Sequence, residues 1–314
     1  MICTCTLNPS LDYYMEFEKP LEAGVMNRSQ LEYYEAGGKG INVSIVLNNL
    51  LIPNRAFGFL GGFTKDFYIS LLQKYEYIQP NFTYIEGATR INVKARAGQD
   101  TELNAAGPYI TDQDMKALEA KVSRLGEADI FVFSGNCPEY LSDEVVKMLE
   151  GAIQDGVRVV IDTHPAILAR MLKSHPFLIK TTAAELAHLA QKKLDSGDAV
   201  IAAARQVKAD GAVNVLVTLN GSQDAVLVCD SGTYRGRILD DGRKTVSMVG
   251  TGDSIVAGFL MNYLRTSDSI DSFRFGCCCG SATAYSKGLA TREKIDSFYE
   301  QMKVEKLGGT QAEK

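Results

Sequence analysis

Short apolar runs and longer amphipathic stretches alternate along most of this chain. Ile2–Leu7, Asp129–Phe133, Val157–Ile161, Phe177–Lys180, Val213–Leu219 and Ala225–Val228 are apolar with little polar alternation, and several are rich in Val, Ile and Phe. That is the pattern of strands covered on both faces. Helical spacing runs over 112–125, 142–154, 183–192 and 198–209, with Ser142 placed to cap the second. The alternation predicts a doubly wound α/β sheet with right-handed crossovers. Two stretches break it. Residues 12–35 are rich in Tyr, Phe and Glu and carry no helical period, and 89–104 read as two short strands around the turn 97–100. Both are expected to form a small β lid on the α/β body.

Composition narrows the picture. The chain has 314 residues, 46% of them hydrophobic, enough for a large core without disulfides or structural metal. Length alone allows one large or two medium domains. The 33 Lys+Arg against 38 Asp+Glu give a net charge of −5, which offers no broad face to nucleic acid or an anionic membrane. No run of 18 apolar residues appears, and the first residues lack a signal-peptide pattern, so a cytoplasmic protein is expected. The seven cysteines include no C-x-x-C pair and are read as buried free thiols. His164, His175 and His188 are read as structural or surface residues.

Three segments could carry chemistry. Ala36-Gly37-Gly38-Lys39-Gly40-Ile41-Asn42 is a glycine turn opening a helix, where backbone amides and the helix dipole favour an anion and Lys39 adds a charge. It could equally be a plain turn. Gly250-Thr251-Gly252-Asp253 opens an apolar helix, with Asp253 a cap or a general base beside an anion cradle. Arg90, Asn92 and Lys94 share one strand face, either a phosphate-binding wall or a charged edge.

Taken together, NPSLD (8–12), AGGKGINVS (36–44), FLGGFTKDF (59–67), TRINVK (89–94), ELNAAGP (102–108), GTGDS (250–254) and GSATAYSKGLATREKI (280–295) resemble, in order, the phosphofructokinase B family of ribokinase-like sugar kinases. TRINVK and GGKGINVS resemble more narrowly its 1-phosphofructokinase and tagatose-6-phosphate kinase branch. The resemblance implies a ribokinase-like three-layer α/β/α fold over residues 1–306, a dimer formed through the lid, and a flexible tail at 307–314. It implies an ATP- and Mg²⁺-dependent kinase of a ketohexose phosphate, with fructose 1-phosphate as first substrate and tagatose 6-phosphate as second. Asp253 would be the base, with Gly250, Thr251 and Gly252 forming the anion hole. Asp12, Gly38, Lys39, Asn42 and Asn104 would meet the sugar, and Lys39, Arg90 and Lys94 its phosphate. Lys180, Thr218, Gly221, Thr251 and Gly252 would border the nucleotide, and Glu185 would hold Mg²⁺ through water.

The chain also departs from the family pattern. Thr182 stands where Lys180-Thr181-Thr182-Ala183-Ala184-Glu185 would carry Asn, and Asp224 falls near an expected Gly in the turn after Thr218. Thr251 replaces the usual Ala, and Ser134-Gly135-Asn136-Cys137-Pro138 varies a common Ser-Gly-Ser-x-Pro. The first two departures open a second reading, a non-catalytic sugar-phosphate sensor.

Overall fold

The computed structural model describes residues 1–219, 224–238 and 244–308. In chain order its strands are β1 (Ile2–Thr6), β2 (Ser10–Glu16), β3 (Leu31–Gly37), β4 (Asn54–Gly61), β5 (Ile78–Pro80), β6 (Thr83–Ile85), β7 (Arg90–Ala97), β8 (Gln99–Leu103), β9 (Ile130–Ser134), β10 (Arg158–Asp162), β11 (Leu178–Thr182), β12 (Asn214–Thr218), β13 (Ala225–Cys229), β14 (Gly232–Ile238) and β15 (Met302–Leu307). The helices are α1 (Lys39–Asn49), α2 (Thr64–Leu72), α3 (Asp112–Val122), α4 (Ser142–Gln154), α5 (Pro165–Met171), α6 (Ala183–Leu189), α7 (Gly197–Ala209), α8 (Thr251–Thr266), α9 (Ser269–Ala284) and α10 (Arg292–Asp296).

The large sheet runs β15-β14-β13-β12-β11-β10-β9-β1-β4-β5, with β6 beside β4. It is parallel from β12 to β5 and antiparallel from β12 to β15. Strands β1, β9 and β12 are buried along nearly their whole length, which explains their unbroken apolar runs. One face packs against α3 to α7, through residues such as Leu118, Leu149, Leu168 and Ala204. The other packs against α1 and α8 to α10. After β1 the chain crosses to β4 on one side, and later returns to β9 on the other. Such a switch point opens a crevice at the carboxyl ends of the strands.

The lid is a separate four-stranded sheet, β3-β2-β7-β8. Its two limbs, 10–37 and 90–103, are those the missing helical period marked out, and Gly98 (φ +81) makes the tight turn between β7 and β8. Stacked pairs Tyr13–Tyr34 and Tyr14–Tyr33 tie β2 to β3 on opposite faces of this sheet.

Two local expectations change. Ser142 is the first residue of α4 rather than its cap, because a 3-10 turn at Glu139–Leu141 leads into the helix. Leu307, expected in a flexible tail, pairs with Thr233 as the last residue of β15. Residues 309–314 lie outside the described residues. All seven cysteines are buried and free. Among the described residues, no helix is long and apolar enough to cross a membrane.

Helices α8 and α9 cross at backbone distance. A Cβ on Gly276 would stand 2.6 Å from the Ile255 carbonyl oxygen, whereas one on Gly151 in α4 would meet nothing. The two glycines share a helical propensity cost and differ in space. Gly151→Ala is expected to raise stability by about 0.5–1 kcal/mol. Gly276→Ala is expected to lower it by about 1–3 kcal/mol. Urea unfolding midpoints of the two variants test this, and a shift in the same direction for both would contradict it.

Candidate active site

At the carboxyl ends of β1, β10 and β11 the N-termini of α1 and α8 converge. The glycines of the first segment make that convergence possible. Gly38 takes φ +133 as it enters α1. A Cβ on Gly40 would lie 2.6 Å from Thr6 Oγ1, and one on Gly37 would lie 2.5 Å from Asp12 Oδ2. Helix α1 is thus drawn against β1 and the lid strand β2 together, and the Gly40 amide donates to Thr6 Oγ1 at 2.9 Å.

Two buried carboxylates form the floor. Asp253, in the first turn of α8, is 6% exposed and accepts a hydrogen bond from Asn42 Nδ2 at 2.8 Å. Asp162, the last residue of β10, is 2% exposed. Its Oδ1 lies 2.9 Å from Lys39 Nζ and its Oδ2 lies 3.1 Å from Lys180 Nζ. Lys180 passes beneath the start of α8, where a Cβ on Gly252 would come within 2.9 Å of its Nζ. Burial and the neighbouring Asp162 push the Asp253 carboxyl up to about 6, against the pull of Lys180, Asn42 and Lys39. Burial also opposes ionisation of Asp162, yet Lys180 and Lys39 outweigh it and hold that carboxyl below the usual range. Burial lowers the proton affinity of Lys39, but Asp162, with Asp253 and Glu185 behind it, raises it by more.

Gly250 adopts the left-handed conformation (φ +77) and turns the chain into α8. The Thr251 amide and hydroxyl both go to the Met248 carbonyl oxygen, at 3.3 and 2.9 Å. The helix therefore presents the amides of Gly252 and Asp253 at its open end.

The lid supplies a second cluster. Asp12 Oδ1 accepts from Ser10 Oγ at 2.7 Å and from Asn92 Nδ2 at 2.9 Å. Asp12, Tyr14, Glu35 and Arg96 of the lid share a cavity of about 220 Å³ with Asn42 and Gly250 of the body. Arg90 is half-buried and donates to the carbonyls of Asn8 and Ala105, at 3.2 Å each. Lys94 is bound to Glu102 across the β7–β8 hairpin at 2.6 Å. Asn104 is exposed just beyond β8.

On the other side, Thr182 caps α6. Its Oγ1 accepts from the Glu185 amide at 3.1 Å while Glu185 Oε2 accepts from the Thr182 amide at 2.8 Å. Glu185 also borders a cavity of about 650 Å³ with Lys39, Asn136 and His164. Asp224 Oδ2 accepts from Arg235 Nε at 2.9 Å, so its charge is paired. Thr218 ends β12. Gly221 lies outside the described residues.

The structure brings together Lys39, Asn42, Lys180, Gly252 and Asp253, with Asp12 in the adjoining cavity, while Arg90, Lys94 and Asn104 stay with the lid and its loops. Asp162 is the residue that sequence reading passed over. Its signal was an acid closing the apolar run Val159-Val160-Ile161, since a charge at the carboxyl end of a buried strand falls at the crevice.

A model of the pfkB family of carbohydrate kinases matches residues 6–295. The 1-phosphofructokinase of Bacillus subtilis is 36% identical over 308 residues, covering 98% of this chain and 100% of the relative. The D-tagatose-1-phosphate kinase of Bacillus licheniformis is 29% identical over 309 residues, covering 98% of this chain and 100% of the relative. The structure of Escherichia coli phosphofructokinase-2 in complex with substrates and products superimposes with a TM-score of 0.88 at 25% identity, covering 95% of this chain and 98% of the other. Arabidopsis thaliana ribokinase complexed with ribose and ATP shares the fold, with a TM-score of 0.72 at 20% identity over 95% of this chain and 98% of the other.

The raised Asp253 carboxyl has a thermodynamic sign. Between the unfolded carboxyl value, about 4, and about 6, the native state holds a proton that the unfolded chain has lost. Stability therefore falls as pH rises through that window, and the deficit persists above it. Asp253→Asn is expected to melt several degrees higher than the parent at pH 8, with the difference closing toward pH 4. Calorimetric melts at both pH values check this, and a lower melting temperature for the variant at pH 8 would contradict it.

Proposed function

The chain belongs to the pfkB family of carbohydrate kinases, and on that premise we propose that it transfers the γ-phosphoryl group of ATP to fructose 1-phosphate, giving fructose 1,6-bisphosphate. The observation that carries this reading is Asp253, a buried carboxylate of raised proton affinity set among two lysines and the open end of a helix.

In this reading Asp253 takes the proton of the C6 hydroxyl as that oxygen bonds to the γ-phosphorus and the bond to ADP breaks. A base near neutrality suits this task, because it is ionised at working pH and still accepts a proton well. The amides of Gly252 and Asp253 face the transferring group, and Gly250 and Thr251 set the turn that aims them. Lys180 adds charge from below. Asp12, held by Ser10 and Asn92, presents its carboxylate to vicinal sugar hydroxyls, with Gly38 and Asn42 beside it. Lys39 and Arg90 meet the substrate's own phosphate, Arg90 through the fork of donors it has left. Lys94 joins them only by leaving Glu102, and Asn104 closes the same edge. Lys180, Thr218 and Gly221 border the nucleotide.

Magnesium fits as an ion carried on the nucleotide. Among the described residues, no three His, Cys, Asp or Glu side chains gather as a metal site. Mg²⁺ keeps most of its waters and binds through one or two carboxylates plus phosphates, which suits Glu185 acting through water. Such an ion neutralises charge on the phosphates.

The 1-phosphofructokinase relative supports fructose 1-phosphate. The D-tagatose-1-phosphate kinase relative supports the 4-epimer with the same phosphate as second substrate, ahead of tagatose 6-phosphate. The family match and the 1-phosphofructokinase relative favour an enzyme over the sensor reading, and the pairing of Asp224 with Arg235 offsets the charge that motivated it. We read residues 1–307, β15 included, as one kinase domain in the cytoplasm, where ATP is supplied. The lid face bearing Tyr34, Ile91 and Leu103 is exposed and apolar, and supports a homodimer through the lid.

Purified protein with ATP, Mg²⁺ and each of fructose 1-phosphate, tagatose 1-phosphate, tagatose 6-phosphate and fructose 6-phosphate tests the assignment. The highest kcat/KM is expected for fructose 1-phosphate, with product phosphorylated at C6. Asp253→Asn is expected to lose about 10²–10⁴-fold in kcat; unchanged turnover would remove Asp253 as the base. Light scattering is expected to give a dimer for the parent and a monomer for Ile91→Glu/Leu103→Glu, and a monomeric parent would refute the lid interface.

A further inference from the structure

We propose that Asp162 is a positioning residue, one carboxylate that pins the sugar-side Lys39 and the nucleotide-side Lys180 at a fixed separation beside Asp253, ready to meet the substrate phosphates. This rests on the reading of Asp253 as the base.

Both lysines stand where an ammonium is unfavourable. Lys39 is the first residue of α1, which has no acid in its first turn, and Lys180 Nζ lies under the first turn of α8. The positive end of each helix repels a cation. Lys180 is 4% exposed, so water does little to screen it. Asp162 offsets both, one oxygen to each lysine, at 2.9 and 3.1 Å. Its own place is rigid, because β10 lies between β9 and β11 in the middle of the sheet. Lys180 comes from β11 and Lys39 from the helix that follows the lid, so one buried carboxylate joins the two halves of the site. Each ammonium carries three donors, so each lysine can meet a substrate phosphate while it keeps its bond to Asp162.

The same carboxylate acts on Asp253. The groups bearing on Asp253 are Asp162, Lys180, Asn42 and Lys39, while Glu185 bears on Lys39. Neutralising Asp162 removes a repulsion and leaves both ammonium groups, so Asp253 ionises more readily. Removing the Lys39 charge does the opposite.

The experiment compares the parent, Asp162→Asn and Lys39→Met in kcat, KM and the pH profile of kcat/KM for fructose 1-phosphate. Asp162→Asn is expected to lose about tenfold or more in kcat, with neither KM raised, and to move the acid limb down by about one pH unit. Lys39→Met is expected to move that limb up. A merely structural role for Asp162 would lower activity and leave the limb in place. If Asp162→Asn does not fold, Lys39→Met decides alone: an upward shift supports the inference, and an unmoved or lowered limb overturns it. A parent profile with no acid limb overturns Asp253 as base and this inference with it. A limb present in the parent but unmoved in both variants overturns the role of Asp162 only.

Discussion

Two carboxylates on one dry floor repel each other, and everything around them answers that constraint. Asp162 and Asp253 both lie out of water. An uncompensated charge there would take a proton or unfold the site. The chain resolves the conflict unequally. Asp162 receives both lysines and stays ionised, while Asp253 receives an amide and retains a higher proton affinity. Two chemically identical side chains thereby acquire different roles, one as a fixed anion and one as a group that gains and loses a proton. Splitting the proton affinities of neighbouring acids through their surroundings is a general route to acid–base function.

The fold delivers these groups without bending any of them far. Asp162 ends a strand, Lys180 lies in the next one, and Asn42 and Asp253 stand in the first turns of two helices. What demands special residues is the close approach of backbones. Gly37 and Gly40 let α1 meet Asp12 and Thr6, and Gly250 supplies the left-handed turn into α8. Beneath them, Gly258, Gly276 and Gly280 let α8 and α9 touch, so the helix carrying Asp253 is braced along its length.

The architecture was legible because buried parallel strands write themselves as apolar runs, and because the lid limbs lacked a helical period. The glycine-rich segments were legible because Gly-Gly-Lys-Gly and Gly-Thr-Gly-Asp each open a helix. Pairwise relations were not. Asp162 sits 123 residues from Lys39, and no local pattern links them. Arg90, Asn92 and Lys94 do share a face, as the strand period requires, but their side chains go to Asn8, Asp12 and Glu102 respectively. Periodicity places a side chain on a face and leaves its partner open. Asp224 looked like a defect for the same reason, since Arg235, which pairs with it, comes from β14; the capping box of Thr182 and Glu185 is by contrast a local Thr-x-x-Glu pattern that the chain itself displays.

The lid and the braced floor divide the site in a way that bears on its history. Asp12, which the proposed reading sets against the sugar, and Asn92, which holds it, hang on a separate four-stranded sheet. The groups that would move the proton and the phosphoryl are wedged between a ten-strand path of sheet and a pair of helices in backbone contact. On the proposed reading, substitutions on the lid would change which sugar is admitted and leave the reacting geometry as it was. On that reading, the difference between relatives named for fructose and for tagatose phosphates would be a difference of lid and not of floor, one chemistry serving two sugars.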